Sequence, residues 1–300
     1  MTKPVSKSTS VRRLINNIAD YFGESDIYYG HGTDNALAES FYLVLAALDL
    51  PFDLSDKQLN QIAEPDSVAS VWQLAVRRVD ERIPVAYLVN KAWFAGLRFY
   101  VNDSVLVPRS PVAELVEENF RPWVQVDKVK HILDIGTGCA CIAIACAVAF
   151  PGASVDAIDI SPAALEVARK NVKAYKLEDR VNLIKSDLYE VLAGEKYDLI
   201  IANPPYVDAG DMQALPPEFR HEPRLALVGG DDGLDLVRRI ISDSGRHMNK
   251  GAVLVVEVGN SQQAMESAFP DLPMVWLEFE RGGDGVFLIT AEELKNVTGY

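Results

Sequence analysis

The fold class the sequence predicts is α/β: an open, mostly parallel sheet with helices on both faces, preceded by a helical region. Two observations predict it. From about residue 128 onward, short runs rich in Val, Ile and Leu alternate with helical patterns, as strand–helix–strand crossovers do. Roughly the first 85 residues show helical spacing alone. With 300 residues, 49% hydrophobic and 24% charged, the chain has a globular composition and room for two units.

In order, Leu14, Ile15, Ile18 and Phe22 recur at helical spacing. So do Leu37, Phe41, Val44, Leu45 and Leu48 behind an expected cap at Asp34, and then Val68, Val71, Trp72, Ala75, Val76 and Val79. Pro84 is expected to end this region. Phe94, Phe99, Val101, Val105 and Val107 flank Asn102-Asp103, which predicts a hairpin turning there. Strand one is expected at His131–Ile135, a helix of small residues at Ile142–Phe150, and strand two at Val155–Asp159. Ser161-Pro162 reads as the cap and first turn of the next helix. Val181–Ile184 and Tyr197–Ala202 are strands three and four, Asp235–Met248 a helix and Ala252–Val258 strand five. Met274–Phe279 and Gly285–Ile289 read as a closing antiparallel ribbon. The expected domains are 1–90, 91–125 as a hairpin linker, and 126–300.

The net charge of −14 argues against a grip on a nucleic-acid backbone, and neither the first ninety residues nor the remainder is basic. It suits a cationic partner, or serves solubility alone. The three cysteines, Cys139, Cys141 and Cys146, lie close together with no second Cys or His cluster, so no metal is expected. Cys139–Phe150, the longest run of small apolar residues, is shorter than the ~20 residues that span a bilayer. The N-terminal stretch MTKPVSKSTSVRRL has no apolar core of signal-peptide length. A reduced, cytoplasmic setting away from membranes is therefore expected.

Ligands of open α/β sheets bind beyond the carboxyl ends of the strands. Four such ends are distinctive here: Asp134-x-Gly136-x-Gly138, Asp159, Asp187 in Lys185-Ser-Asp-Leu188, and Asn203-Pro204-Pro205-Tyr206. The glycines allow a tight turn close to a ligand, and a carboxylate ending strand two can accept from ribose hydroxyls. These features fit a dinucleotide or an adenosyl ligand. A dinucleotide fingerprint wants a third glycine at position 141, which is Cys, and Asn-Pro-Pro-Tyr is foreign to a dehydrogenase.

On these residues the chain resembles the S-adenosylmethionine-dependent class I methyltransferases, and more narrowly the protein glutamine-N5 methyltransferases. The resemblance spans nearly the whole chain. It includes Pro84-Val-Ala-Tyr87-Leu88, Val105-Leu-Val-Pro108-Arg109, the Asp134–Gly138 loop, Asn203–Tyr206, Glu222-Pro223-Arg224 and Gly229-Gly230-x-x-Gly233-Leu234. It implies a Rossmann-like seven-stranded sheet, an N-terminal helical domain for substrate recognition and a linking hairpin. Tyr28-Tyr-Gly-His-Gly-Thr-Asp34, Asn90-Lys-Ala-Trp-Phe94 and Val107-Pro-Arg-Ser-Pro111 resemble the branch acting on the third protein of the large ribosomal subunit. The other branch methylates the GGQ glutamine of release factors. Ala140 departs from the family, which often has glycine there.

The resemblance implies roles. Asp134, Gly136, Thr137, Gly138, Cys139 and Ala140 line the methionine end of S-adenosyl-L-methionine, Asp159 binds its ribose, Asp187 its adenine amino group, and Leu188 packs on the ring. Asn203 and the Pro204 carbonyl accept the two N–H groups of the substrate amide. Pro204 and Pro205 stiffen the loop, and Tyr206 packs over the amide. The released product is S-adenosyl-L-homocysteine, and a basic ribosomal protein is the partner.

Plainer readings stand beside these. Asp134 can cap the loop backbone, Asp187 a helix, and Glu222 with Arg224 can form an ion pair beside the site. Cys139 and Cys141 read as packing residues, Trp72 and Trp93 as core, and His31 as a possible substrate contact. Competing functions are release-factor methylation, adenine-N6 methylation of nucleic acid, a silent binding module and a nicotinamide dehydrogenase.

Overall fold

A computed structural model describes residues 8–298. Residues 1–7, half of the N-terminal stretch judged above for a leader, lie outside the described residues. The chain forms two compact units: one runs to Lys91 and includes Pro216–His221, and the other comprises Ala92–Leu215 and the chain from Glu222 onward.

The first unit is helical: α1 (Val11–Gly23), α2 (Ala36–Ala47), α3 (Pro65–Asp80) and α4 (Val85–Val89) are its main helices. α1 buries Leu14, Ile15, Ile18 and Phe22, the expected stripe. α2 starts one residue later than predicted. Its cap is Asn35, whose side chain accepts from the Ala38 N–H at 2.9 Å. Leu37 is exposed, and the buried run is Tyr42–Ala46. Pro84 does not end the helical region but opens α4, because proline suits the start of a helix.

The largest fully buried side chain of this unit is a charged one, Arg78 of α3. Its guanidinium bonds Glu39 on α2, Glu218 at 3.2 Å and the Tyr28 carbonyl at 2.6 Å. Glu218 also accepts from the Tyr28 N–H at 3.0 Å, and Glu39 from the Thr33 hydroxyl at 2.8 Å. Burial works against ionised Glu218, but those hydrogen bonds and Arg78 hold its carboxyl below the usual range. His31 is buried against the Phe219 ring, with centroids 4.6 Å apart, so it is a packing residue of this unit and not an offered substrate contact. Trp72 packs on Tyr21, 5.7 Å between ring centroids.

The second unit opens with an antiparallel hairpin, Ala92–Phe94 with Leu97–Phe99. Its turn is Ala95-Gly96, not the predicted Asn102-Asp103. Both turn residues have positive φ, 46° and 72°, as a two-residue hairpin turn requires. Asn102 instead folds its own loop, accepting from the Ser104 N–H at 3.1 Å.

The sheet has seven strands: β1 (His131–Ile135), β2 (Ser154–Asp159), β3 (Val181–Lys185), β4 (Tyr197–Ala202), β5 (Met248–Glu257), β6 (Val275–Trp276) and β7 (Val286–Thr290). Their order is β6-β7-β5-β4-β1-β2-β3. β1 to β5 pair in parallel, and β7 is antiparallel to both β5 and β6. Helices α5 (Cys141–Ala149), α6 (Pro162–Ala174) and α7 (Asp235–His247) connect strands. Helix α8 (Ala291–Thr298), absent from the sequence reading, closes the chain. Central strands are covered on both faces, so Leu199–Ala202 and Ala252–Val256 are buried throughout. The strand order reverses direction at β1/β4, where a cleft opens beyond the strand ends.

Arg78 gives the helical unit a testable dependence. Arg78→Ala leaves Glu39 and Glu218 buried without their cation, so it should destabilise that unit by ~3–5 kcal/mol. Urea unfolding followed by tryptophan fluorescence measures this; a loss under about 1 kcal/mol would mean the network is solvated.

Candidate functional site

A cavity in the second unit is lined by the loop after β1, the ends of β2 and β4, and segments around residues 104–110, 186–188 and 223–226. It gathers Gly136, Thr137, Gly138, Cys139, Asp159, Asp187, Leu188, Asn203, Pro204 and Pro205 from the predicted residues. Asp134, Ala140 and Tyr206 lie behind its wall.

The β1 loop is a backbone turn over β2. The N–H groups of Gly136 and Thr137 both donate to the Ile158 carbonyl at 2.9 Å. Gly136 and Gly138 have φ of 73° and 55°, and a Cβ on Gly138 would meet open space. Ala140 also sits at φ 65°, a left-handed conformation that costs an L-residue about 1–2 kcal/mol. That geometry is the reason glycine suits this position.

Asp134 is 1% exposed. Its Oδ2 accepts from the Thr137 hydroxyl at 2.6 Å and the Ala143 N–H at 3.1 Å, so it does cap the loop. Its Oδ1 is buried with no hydrogen-bond partner among the described residues. Burial pushes Asp134 up to about 7, against the pull of Thr137 and Ala143. Asp159 accepts from the Gly138 N–H at 2.9 Å and the Ser161 N–H at 2.8 Å, one on each oxygen. The Ile160 N–H is a third backbone donor to this carboxylate, which leaves one of its roughly four acceptor sites for a ligand. Burial raises its pKa, and these backbone donors oppose the rise.

Asp187 caps no helix. It pairs with Arg239 of α7 at 3.0 Å, and both residues line the cavity. Leu188 is buried at φ 49°, its carbonyl accepting from the Ser186 hydroxyl at 2.6 Å. Glu222 does not pair with Arg224, which is exposed. It takes Arg109 in a two-pronged contact of 2.6 and 2.8 Å, and accepts from the Val107 N–H at 3.1 Å.

The loop after β4 is fixed by backbone. The Val207 N–H donates to the Leu227 carbonyl and the Gly229 N–H to the Val207 carbonyl, both at 2.9 Å, and the Ser261 hydroxyl reaches the Tyr206 carbonyl at 3.0 Å. A Cβ on Gly229 would lie 2.7 Å from the Tyr206 Cα, and one on Gly233 would lie 2.3 Å from its carbonyl oxygen. The Gly229–Gly233 motif is glycine because the Tyr206 backbone passes over it. The Tyr206 ring lies against the Gly259 α-carbon, and its hydroxyl donates to Glu257 at 3.1 Å. This differs from the expected packing of Tyr206 over a substrate amide. Asn203 is half-buried in the cavity wall, and its side chain has no protein hydrogen bond among the described residues. Sequence reasoning gave no role to Glu257, Ser110 or Arg239: Glu257 and Arg239 stand in no motif, and Ser110 was seen only as part of Val107-Pro-Arg-Ser-Pro111.

These features fit an adenosyl ligand bearing a cation. Asp134 keeps an orphaned carboxylate oxygen behind the β1 loop, Gly138 offers open backbone, and the Asp159 carboxylate at the end of β2 lines the cavity. Among the described residues no group of three or more His, Cys, Asp or Glu could hold a metal.

The chain is 45% identical over 307 residues to the ribosomal protein uL3 glutamine methyltransferase of Burkholderia pseudomallei, covering 100% of both chains. It is 46% identical to that of Bordetella pertussis, covering 95% of this chain and 96% of the relative. It is 43% identical to that of Francisella tularensis, covering 94% and 93%. The family model described as methyltransferase small domain matches residues 118–222. Among solved structures, the hMettl16 catalytic domain in complex with MAT2A 3'UTR hairpin 1 shares the fold. Its TM-score is 0.50 at 17% identity, covering 82% of this chain and 88% of that one.

If a cation binds in this cavity, the orphaned Asp134 carboxylate is expected to link that binding to protonation. Below about pH 7 the free protein holds Asp134 protonated. A cationic ligand in the cavity, with the β1 loop between it and Asp134, favours the ionised form, so its binding is expected to release a proton. Affinity for S-adenosylmethionine should fall from about pH 7 to about pH 5.5, by up to about tenfold per unit. Calorimetry in buffers of different ionisation enthalpy reads that proton, and Asp134→Asn should flatten the dependence.

Proposed function

We infer, from its full-length match to the ribosomal protein uL3 glutamine methyltransferases, the family to which the chain belongs, that this cavity carries out S-adenosylmethionine-dependent N5-methylation of a glutamine side chain on that ribosomal protein. The observation that carries the reading is Asn203. It stands at the carboxyl end of β4 with an unengaged amide facing the cavity, on a loop stiffened by two prolines and locked from behind.

A glutamine amide is a poor nucleophile because its nitrogen lone pair is delocalised into the carbonyl. The Asn203 side-chain oxygen accepts one of its N–H groups and the Pro204 carbonyl the other. Two fixed acceptors orient the nitrogen and restrain its rotation, so most of the rate advantage comes from positioning. Asp134 and Gly136–Ala140 hold the methionine end of the cofactor, Asp159 the ribose, and Asp187 with Leu188 the adenine. Bound S-adenosylmethionine supplies an electrophilic methyl group on a sulfonium sulfur. The N–C bond forms as the S–C bond breaks, and the methylated amide, now strongly acidic, gives its proton to water.

The charge of −14 complements a basic ribosomal protein. No helix among the described residues is long and apolar enough to cross a membrane. A ribosomal substrate supports a cytoplasmic setting for the enzyme.

A radiolabelled methyl-transfer assay offering free uL3, a release factor and undermodified RNA tests the reading. Label on uL3 that disappears when its target glutamine is replaced supports it. Label on the release factor alone overturns the substrate, and label on RNA overturns the chemistry of the clamp. Asn203→Ala should abolish transfer while cofactor affinity stays within a few-fold. Asp159→Ala should weaken cofactor binding by ~1.5–3 kcal/mol, the worth of a charge-assisted contact; unchanged calorimetry would place the ribose elsewhere.

A further inference from the structure

The parallel pairing of β4 with β5 sets Ala202 opposite Val256, so Asn203, the first residue after β4, lies level with Glu257, the last residue of β5. Glu257 is the last residue of β5 and is 4% exposed. A carboxylate there has no water to satisfy it and depends on protein donors. It has two. The Ser110 hydroxyl donates to Oε2 at 2.5 Å, and the Tyr206 hydroxyl donates to Oε1 at 3.1 Å. Ser110 belongs to the cavity wall, and Tyr206 ends the loop that presents Asn203. Burial raises the Tyr206 pKa, and the Glu257 charge raises it further, so the hydroxyl stays protonated and remains a donor.

The space around the ring leaves it one seat. A Cβ on Gly259 would lie 2.5 Å from the Tyr206 ring. With backbone bonds fixing the Tyr206 carbonyl and Val207, the remaining freedom is rotation of the side chain, and the hydroxyl contact with Glu257 stops it.

We propose that Glu257 is a positioning residue for methyl transfer: through the Tyr206 hydroxyl it holds the Asn203–Pro205 loop, and through Ser110 it holds that loop in register with the opposite cavity wall. This rests on the amide-clamp reading above. It gives Tyr206 a role as an anchor behind the wall, and it assigns a function to a strand-end acid that belongs to no motif. Glu257 does not line the cavity, so its effect is expected on the turnover step and not on cofactor binding.

The test compares Glu257→Gln, Tyr206→Phe and the double variant. Glu257→Gln keeps the shape but removes the charge and leaves one acceptor oxygen, so both hydroxyls lose a charged partner and the one facing the new NH2 must turn from donor to acceptor. Each single variant should lower kcat about tenfold, the loss expected of one charge-assisted hydrogen bond, with KM for S-adenosylmethionine unchanged. The double variant should be no slower than the slower single, because both act through one contact. Independently of activity, the Tyr206 Cζ resonance of ring-¹³C-tyrosine protein, assigned by its loss in Tyr206→Phe, should move in Glu257→Gln. Wild-type kcat in Glu257→Gln, an unmoved resonance, or multiplying losses in the double variant each overturn the proposal. If Glu257→Gln fails to fold, Tyr206→Phe carries the kinetic test, since it removes the hydroxyl and keeps the ring. If wild-type enzyme does not methylate uL3, the substrate reading falls, and the resonance alone decides whether Glu257 holds Tyr206.

Discussion

The site depends on how firmly the four residues after β4 are held. Their prolines restrict φ but donate no hydrogen bonds, so the loop cannot secure itself. Its fixation comes from Leu227 and Gly229 to one side, Ser261 beneath the Tyr206 carbonyl and Glu257 at the far end of the ring. The contacts from Leu227 and Gly229 meet at Val207, and those from Ser261 and Glu257 at Tyr206. The sheet makes this possible. Because β4 and β5 run parallel and adjacent, their carboxyl ends open at the same level. In the proposed clamp, a loop held this way would fix the orientation of an unreactive amide before reaction, the main obstacle to its methylation.

Much of the sheet was legible because central parallel strands are buried on both faces and therefore read as unbroken apolar runs. His131–Ile135 and Tyr197–Ala202 fall where the pattern put them. The hairpin turn was misplaced for a physical reason. Asn-Asp is a favourable turn dipeptide by composition, but Ala95-Gly96 lies between residues that pair, and Gly96 makes the left-handed turn affordable. Asn35 displaced Asp34 as a cap because either side chain can accept from the first helical N–H groups, and the chain entry angle decided.

Within the site, the glycine loop, Asp159 and Asn203 were legible because their chemistry depends on residue type at a strand end. The Gly229–Gly233 motif was visible, but its reason, close passage of the Tyr206 backbone, exists only in three dimensions. Glu257 had no local signal at all. A single acid after an apolar run reads as a solvated strand end, and only the neighbouring strands show that it is buried with two donors aimed at it.

The helical unit is not contiguous in sequence. Its buried cation, Arg78, emerges early, whereas Glu218 is encoded 140 residues later, beyond the strand that Asn203 follows. During synthesis, the first ninety residues therefore leave the ribosome with the charge balance of their interior unfinished. Completion waits until the chain has been translated past the methyl-transfer loop. The N-terminal unit is thus the first to be made and cannot be the first to be finished, so its maturation is timed by production of the segment that carries the chemistry.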